Sequence, residues 1–244
     1  MKKLWISSSL ISLILLWLIF FYMVDHRLIL PSPLDVLLTI GGLASEGSSL
    51  AIMGLTLLRL LISVFVSAVL GISLGVLAGL KKKVSWLLSP YVTILRTIPV
   101  ISIVVILLIV LGYQITPYLI TFLMVFPIIY QAAEEGIKNI DPSYIDVYRL
   151  EAHDFKLSIK HLYYPLIKPY LILSFLQSFG LGLKVLVMAE YLAQTKNSIG
   201  QALYMAKTNI DYSSVFAWTI ILILLSALFE LLISNYRRRD YVQS

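Results

Sequence analysis

Apolar runs close to twenty residues long, divided by short polar intervals, follow one another along almost the whole chain. The runs are continuous rather than alternating, so they predict membrane-crossing helices and not barrel strands, which alternate in segments of about ten. A first run covers residues 4–24 behind Lys2-Lys3. Large residues around Phe20 and Met23 leave no small-x-small cleavage pair, so this run is expected to remain as an uncleaved span. Asp25-His26-Arg27 marks the outer surface, and Pro31-Ser32-Pro33 breaks the chain before a run at 34–43 that is too short to span. Ser32 suits the cap of that run, Pro33 its first position and Asp35 its first turn. A second span is predicted at 51–80 and a third, interrupted by Pro90 and Pro99, up to Leu111. Gly112-Tyr113-Gln114 then turns outside, and a fourth span at 116–133 carries Pro127, which removes a backbone hydrogen bond and favours a kink. A polar interval at 134–169 overlaps the start of the fifth span, 166–189. A polar outer or re-entrant segment follows at 191–211, and the sixth span, 215–233, stops at Arg237-Arg238-Arg239. The prediction is an all-α polytopic membrane protein with about six transmembrane helices. It forms a single domain over 1–244, divided into a first span and outer segment (1–50) and a core (51–235) that contains a cytoplasmic loop (134–164).

Composition agrees: 59% of residues are hydrophobic and 13% charged, where soluble domains carry about a quarter charged. The net charge of +6 would suggest nucleic acid in a soluble protein. In a membrane protein it reads as basic residues retaining loops in the cytoplasm, and no nucleic-acid partner is expected. Lys2, Lys3, Lys81 to Lys83, Arg96, Lys138, Arg149, Lys156, Lys160, Lys168 and Arg237 to Arg239 then share the inner side, with both termini cytoplasmic. The chain has no cysteine, which excludes disulfides, thiolate metal sites and cysteine nucleophiles.

Within the second span, Ser63, Ser67, Gly71, Gly75 and Gly79 recur every four residues. That spacing stacks small side chains on one face, where another helix can approach closely, so they are assigned to helix packing. Arg59, Lys184 and Glu190 lie in or beside apolar spans, where a charge costs about 2.5–3.5 kcal/mol on insertion scales and is retained facing protein or water. They are candidates for the translocation path or a gate, although an interfacial acid ending a helix accounts for Glu190 equally well. Glu230 has the same ambiguity. Lys184 and Glu190 are six residues apart, on different helix faces, and are not paired. His153 and His161 read as surface residues, and no metal site is predicted. Gly180-x-Gly182 lacks the third glycine and preceding strand of a dinucleotide loop. No Gly-x-Ser-x-Gly or His-Glu-x-x-His occurs, which disfavours a membrane enzyme; a scaffold without transport is the other rival.

Asp146-Val147-Tyr148-Arg149, followed by Ala152 and about a dozen residues later by Tyr164-Pro165, resembles the EAA loop of ABC-importer permeases. In that family an acid, two small residues and a base precede a glycine and then an apolar-proline pair. Here Asp replaces Glu, Val and Tyr replace the small residues, and Ala replaces Gly. Thr56-Leu57-x-Arg59, the Gly71/Gly75 ladder, Pro90, Leu95-Arg96, Ile98-Pro99, Lys184, Ala189-Glu190, Ile199-Gly200 and Ala206 are similar in order and spacing to the sulfonate, nitrate and taurine branch. Tyr164-Pro165 is also similar to permeases for thiamine-pyrimidine precursors. The resemblance implies the type I permease fold in a bacterial cytoplasmic membrane. It implies two ABC ATPase subunits, an extracellular or periplasmic substrate-binding protein and a second permease copy as partners. It further implies a short ATPase-docking helix in which Asp146 and Arg149 make polar contacts and Val147, Tyr148, Ala152 and Phe155 pack. The chain has no Gly-x-x-x-x-Gly-Lys-Ser/Thr, so ATP and Mg²⁺ are expected on the partner ATPases and no cofactor in this chain.

Overall fold

The computed structural model describes residues 2–24, 29–144, 146 and 155–243. Its helices in chain order are α1 (Lys2–Val24), α2 (Pro33–Ser45), α3 (Gly47–Leu80), α4 (Lys82–Thr97), α5 (Val100–Lys138), α6 (Phe155–Ser158), α7 (Tyr164–Ala193), α8 (Ile199–Thr208) and α9 (Tyr212–Gln243), with a π-turn at Ile159–Tyr163 leading into α7. Local sequence explains the short α2. The Ser32 hydroxyl accepts the Asp35 N–H at 3.1 Å, Pro33 begins the helix and Asp35 lies in its first turn.

Among the described residues, four stretches are long and apolar enough to cross a membrane: Gly47–Leu80, Val100–Lys138, His161–Ala193 and Tyr212–Ile233. The second is folded in two at Gly112, whose φ of 75° is a left-handed conformation that glycine adopts without a Cβ clash. Val104 therefore shares an apolar cluster with Ile120 and Met124, residues that a straight helix would hold roughly 24–30 Å away. Helical geometry continues through Pro127, so the proline expected to kink this stretch does not interrupt it.

Contacts between helices fix their directions. The Ser63 hydroxyl donates to the Tyr118 carbonyl at 3.1 Å and Ser67 to Phe122 at 3.3 Å. Further along, Gly71 faces Ile129 and Gly79 faces Ile137, so α3 and the second half of α5 run parallel. Parallel neighbours require the intervening chain to return to the starting end. It does so through α4, where Ser85 bonds Glu134 and Val92 packs with Ala78 and Tyr130, and then through the first half of α5. The break between these two short helices falls at Ile98-Pro99, where proline disfavours the α conformation of the residue before it. α7 runs antiparallel to α5: Gly136 meets Ile167 while Gly182 meets Thr121, Val125 and Leu60. The main core, with Leu60, Val125, Ile129, Leu186 and Trp218, lies where α3, α5, α7 and α9 converge. α1 stands at the edge, tied by the Trp17 indole N–H to the Pro31 carbonyl (3.2 Å) and by a Trp17–Phe216 stack.

One boundary differs from the sequence expectation: the helix before the polar loop continues to Lys138 instead of ending at 133. The segment 191–211, expected as polar and outer or re-entrant, holds the end of α7 at Ala193 and then α8. Ser198 caps α8 by accepting the Gln201 N–H at 3.0 Å, while the Gln201 side chain accepts the Asn197 N–H at 2.9 Å.

Candidate functional site

The end of the bundle holding the start of α3, the Gly112 turn and the close of α7 carries a buried polar network. Arg59 Nη1 donates to Glu190 Oε1 at 3.0 Å and to the Asn197 carbonyl at 3.2 Å, and Nη2 donates to the Lys196 carbonyl at 3.1 Å. The Glu190 side chain is wholly buried, while that of Arg59 keeps 11% exposure. The Thr56 hydroxyl sits 3.1–3.2 Å from both carboxylate oxygens and accepts the Ile199 N–H at 3.0 Å. Gly200 N–H reaches Glu190 Oε2 at 3.4 Å. Glu190 and Thr56 thus satisfy the free amides at the start of α8, where a helix dipole also favours a negative charge. This approach requires glycine at position 200, because a Cβ there would collide with Glu190 Cβ and the Tyr191 backbone. The network seals α3 to the α7–α8 turn, in which Gln194 and Asn197 adopt left-handed backbone conformations. Beside it lies an open polar recess of about 470 Å³ lined by Arg59, Tyr113, Gln114, Tyr118 and Lys196.

Of the three charges singled out in the sequence, Arg59 and Glu190 come together and Lys184 does not. Lys184 is exposed on α7, where it lines a separate recess with Glu230 of α9. Thr56, part of the Thr56-Leu57-x-Arg59 motif, joins the site without having been a candidate for it. Its spacing three residues before Arg59 puts both on one helix face, which is the signal that could have found it. The carbonyls of Lys196 and Asn197 leave no such sequence signal.

The packing ladder faces α5. A Cβ on Gly75 would run into the Tyr130 carbonyl and come within 2.7 Å of Ala133 Cβ, and one on Gly79 within 2.5 Å of Ile137 Cβ. At this opposite end Glu134 accepts from Ser85 at 2.6 Å and pairs with Lys138, tying α4 to the end of α5. Asp141 follows, its carboxyl held below the usual range by the Ser143 N–H that it accepts at 2.9 Å. In the proposed docking segment, Asp146 is helical and exposed and Phe155 begins α6, while Val147, Tyr148, Arg149 and Ala152 lie outside the described residues. His161 is exposed, and His153 lies outside the described residues. Among the described residues no group of three or more His, Asp or Glu side chains could hold a metal ion.

Among the described residues, an all-helical bundle with four stretches long and apolar enough to cross a membrane fits a polytopic membrane protein. Residues 69–239 match the family described as binding-protein-dependent transport system inner membrane component, and the chain belongs to that family, the ABC-importer permeases. A similar protein is the putative aliphatic sulfonates transport permease protein SsuC of Bacillus subtilis (strain 168), 25% identical over 194 residues that cover 79% of this chain and 70% of the relative. Among solved structures, the inward-facing MetNI methionine ABC transporter is similar in fold. One crystal form gives a TM-score of 0.67 at 18% identity and another 0.63 at 20%, each covering 75% of this chain and 92% of the other.

Proposed function

We propose that this chain is one of two identical permease subunits of an ATP-driven importer that moves a small sulfonate-type anion into the cytoplasm by alternating access. The observation that carries the substrate class is the 25% identity to a putative aliphatic sulfonates permease across 79% of the chain. Residues 1–244 act as one permease unit of six spans in a bacterial cytoplasmic membrane, and an extracellular binding protein delivers the solute. Two separate ATPases bind ATP and Mg²⁺. A docking helix at 146–152 couples them to the spans, and when the ATPases close the paired loops move together and access switches between the two sides. In this reading Arg59 and Glu190 form the outer gate, with Lys184 on the solute path.

Two measurements test the parts of this reading. Asp146→Lys or Arg149→Glu reverses a charge at the ATPase contact and is expected to cost a few kcal/mol of association if that contact is desolvated. ATPase co-purification and sulfonate uptake should both fall at matched expression, with Glu151→Lys as the neighbouring control. Undiminished uptake in both reversals would remove the docking assignment, and a larger loss at Glu151 would move its register. For topology, the absence of native cysteine allows single cysteines to be read directly. One at Ser48 should react with an impermeant thiol reagent in intact cells, and those at Lys82 and Arg238 should be shielded. Reaction at Lys82 would invert the orientation.

A further inference from the structure

α4 presents three faces rather than two. Ser85 and Val92 are buried against α3 and α5, where Ser85 bonds Glu134 and Val92 packs with Ala78 and Tyr130. Leu87, Pro90, Tyr91 and Ile94 share a second face, exposed and apolar apart from the tyrosine hydroxyl. Lys82, Ser89, Thr93 and Arg96 share a third, exposed and polar, and the exposed Trp86 stands between these two flanks. Along α4 the step from Ser85 to Val92 is about 10 Å, while the step between their partners on α5, Glu134 and Tyr130, is about 6 Å. α4 is therefore steeply inclined to α5 and runs along the membrane surface as well as across it. Lys81, Lys82 and Lys83 stand at its head. Among the described residues their side chains and that of Arg96 are exposed and take part in no ion pair or hydrogen bond.

We infer that α4 is a docking surface for anionic phospholipid headgroups, on the cytoplasmic leaflet in the orientation proposed above. A helix with one polar and one apolar flank lies in the headgroup region with its apolar side sunk about 5–10 Å toward the acyl chains, and an indole between the flanks suits that depth. Lipid phosphates then meet the lysines at the head of α4, because basic residues clustered beside a span are drawn to an anionic leaflet. Arg96, near the far end, reaches the same plane along its aliphatic stem. A lysine run that served solvation alone would need neither two sorted flanks nor an inclined axis. Since Ser85 is tied to Glu134, lipid held by α4 also steadies the end of α5 that leads into the polar loop.

The test uses the full permease, purified in neutral detergent and titrated with phosphatidylglycerol or phosphatidylcholine, with bound lipid counted by native mass spectrometry. Phosphatidylglycerol should bind at least tenfold more tightly. Lys81→Gln/Lys82→Gln/Lys83→Gln should cut that preference to less than threefold, while Lys207→Gln, at the opposite end of the bundle, leaves it unchanged. Phosphatidylglycerol should also raise the unfolding temperature of the wild type and not of the triple variant. No preference, or one that survives in the triple variant, overturns the inference and leaves the lysines as a solvated run. Placement is read in proteoliposomes from single cysteines, which the native chain lacks. A spin label at Ser89→Cys should be relaxed by a water-soluble nickel complex, and one at Leu87→Cys by oxygen. Equal access of the nickel complex to both labels overturns the inference. So does a disulfide between two copies through Ser89→Cys, which would make this face a subunit contact. Lipid preference in detergent does not depend on sidedness, so an inverted topology fails at the Lys82 labelling above and leaves the lipid surface standing.

Discussion

Gly75→Ala is expected to lower the unfolding temperature of the detergent-solubilised permease, whereas Gly54→Ala in the same helix should leave it unchanged or raise it. Both substitutions add one methyl group and gain the same helix propensity, worth about 0.5–1 kcal/mol over glycine. Their surroundings differ. At Gly54 nothing lies within 4 Å of the added Cβ. At Gly75 the methyl would overlap the Tyr130 carbonyl and approach Ala133 Cβ to 2.7 Å and the Glu134 amide to 3.2 Å. Two of these three contacts are backbone atoms of a parallel helix, so relief requires moving α5 away from α3 rather than turning a side chain. Such overpacking costs about 1–3 kcal/mol and occasionally more, which outweighs the propensity gain. The shift would also disturb neighbouring contacts made through Gly71 and Gly79. Thermal unfolding monitored by circular dichroism, with the two variants side by side, checks the sign. A Gly75→Ala protein as stable as Gly54→Ala would mean that α3 and α5 do not pack this closely.

The ladder was legible in sequence because four-residue periodicity alone puts five small residues on one face. The cap of α2 was legible for the same reason of locality, since Ser32, Pro33 and Asp35 act within a single turn. Two other local signals stand in the sequence. Ser198-x-x-Gln201 has the spacing of a capping box and starts α8, and Asp211 accepts the Ser214 N–H at 3.1 Å at the start of α9. The third predicted span was harder to read, because it corresponds to two short helices joined at Ile98-Pro99. Directional contacts such as Ser63 to Tyr118 are needed to show that the chain returns to the starting end. The Arg59–Glu190 pair spans 131 positions, so periodicity could identify each charge as unusual but could not join them.

That pair supports the second large effect. Replacing Arg59 with Met leaves the Glu190 carboxylate buried without its countercharge, and replacing Glu190 with Leu strands the guanidinium. Breaking a buried pair from one side costs about 3–5 kcal/mol, whereas replacing both partners with apolar groups of similar size is often neutral. Each single variant should therefore unfold well below the wild type, and Arg59→Met/Glu190→Leu should be more stable than either single variant. This strong non-additivity is expected of groups in direct contact. Recovery will be incomplete, because Glu190 also accepts from Thr56 and Gly200, and Arg59 holds the carbonyls of Lys196 and Asn197. Thr56→Val, which removes one hydroxyl and keeps the shape, should fall between wild type and the single charge variants. Uptake then separates the two roles left open for Glu190. If the pair is the outer gate, the double variant regains stability but not solute uptake, since the α7–α8 turn is no longer held to α3 by a bond that closes and opens with the cycle. Uptake that returns in step with stability would make Arg59 and Glu190 a structural seal, and the gate would have to lie elsewhere.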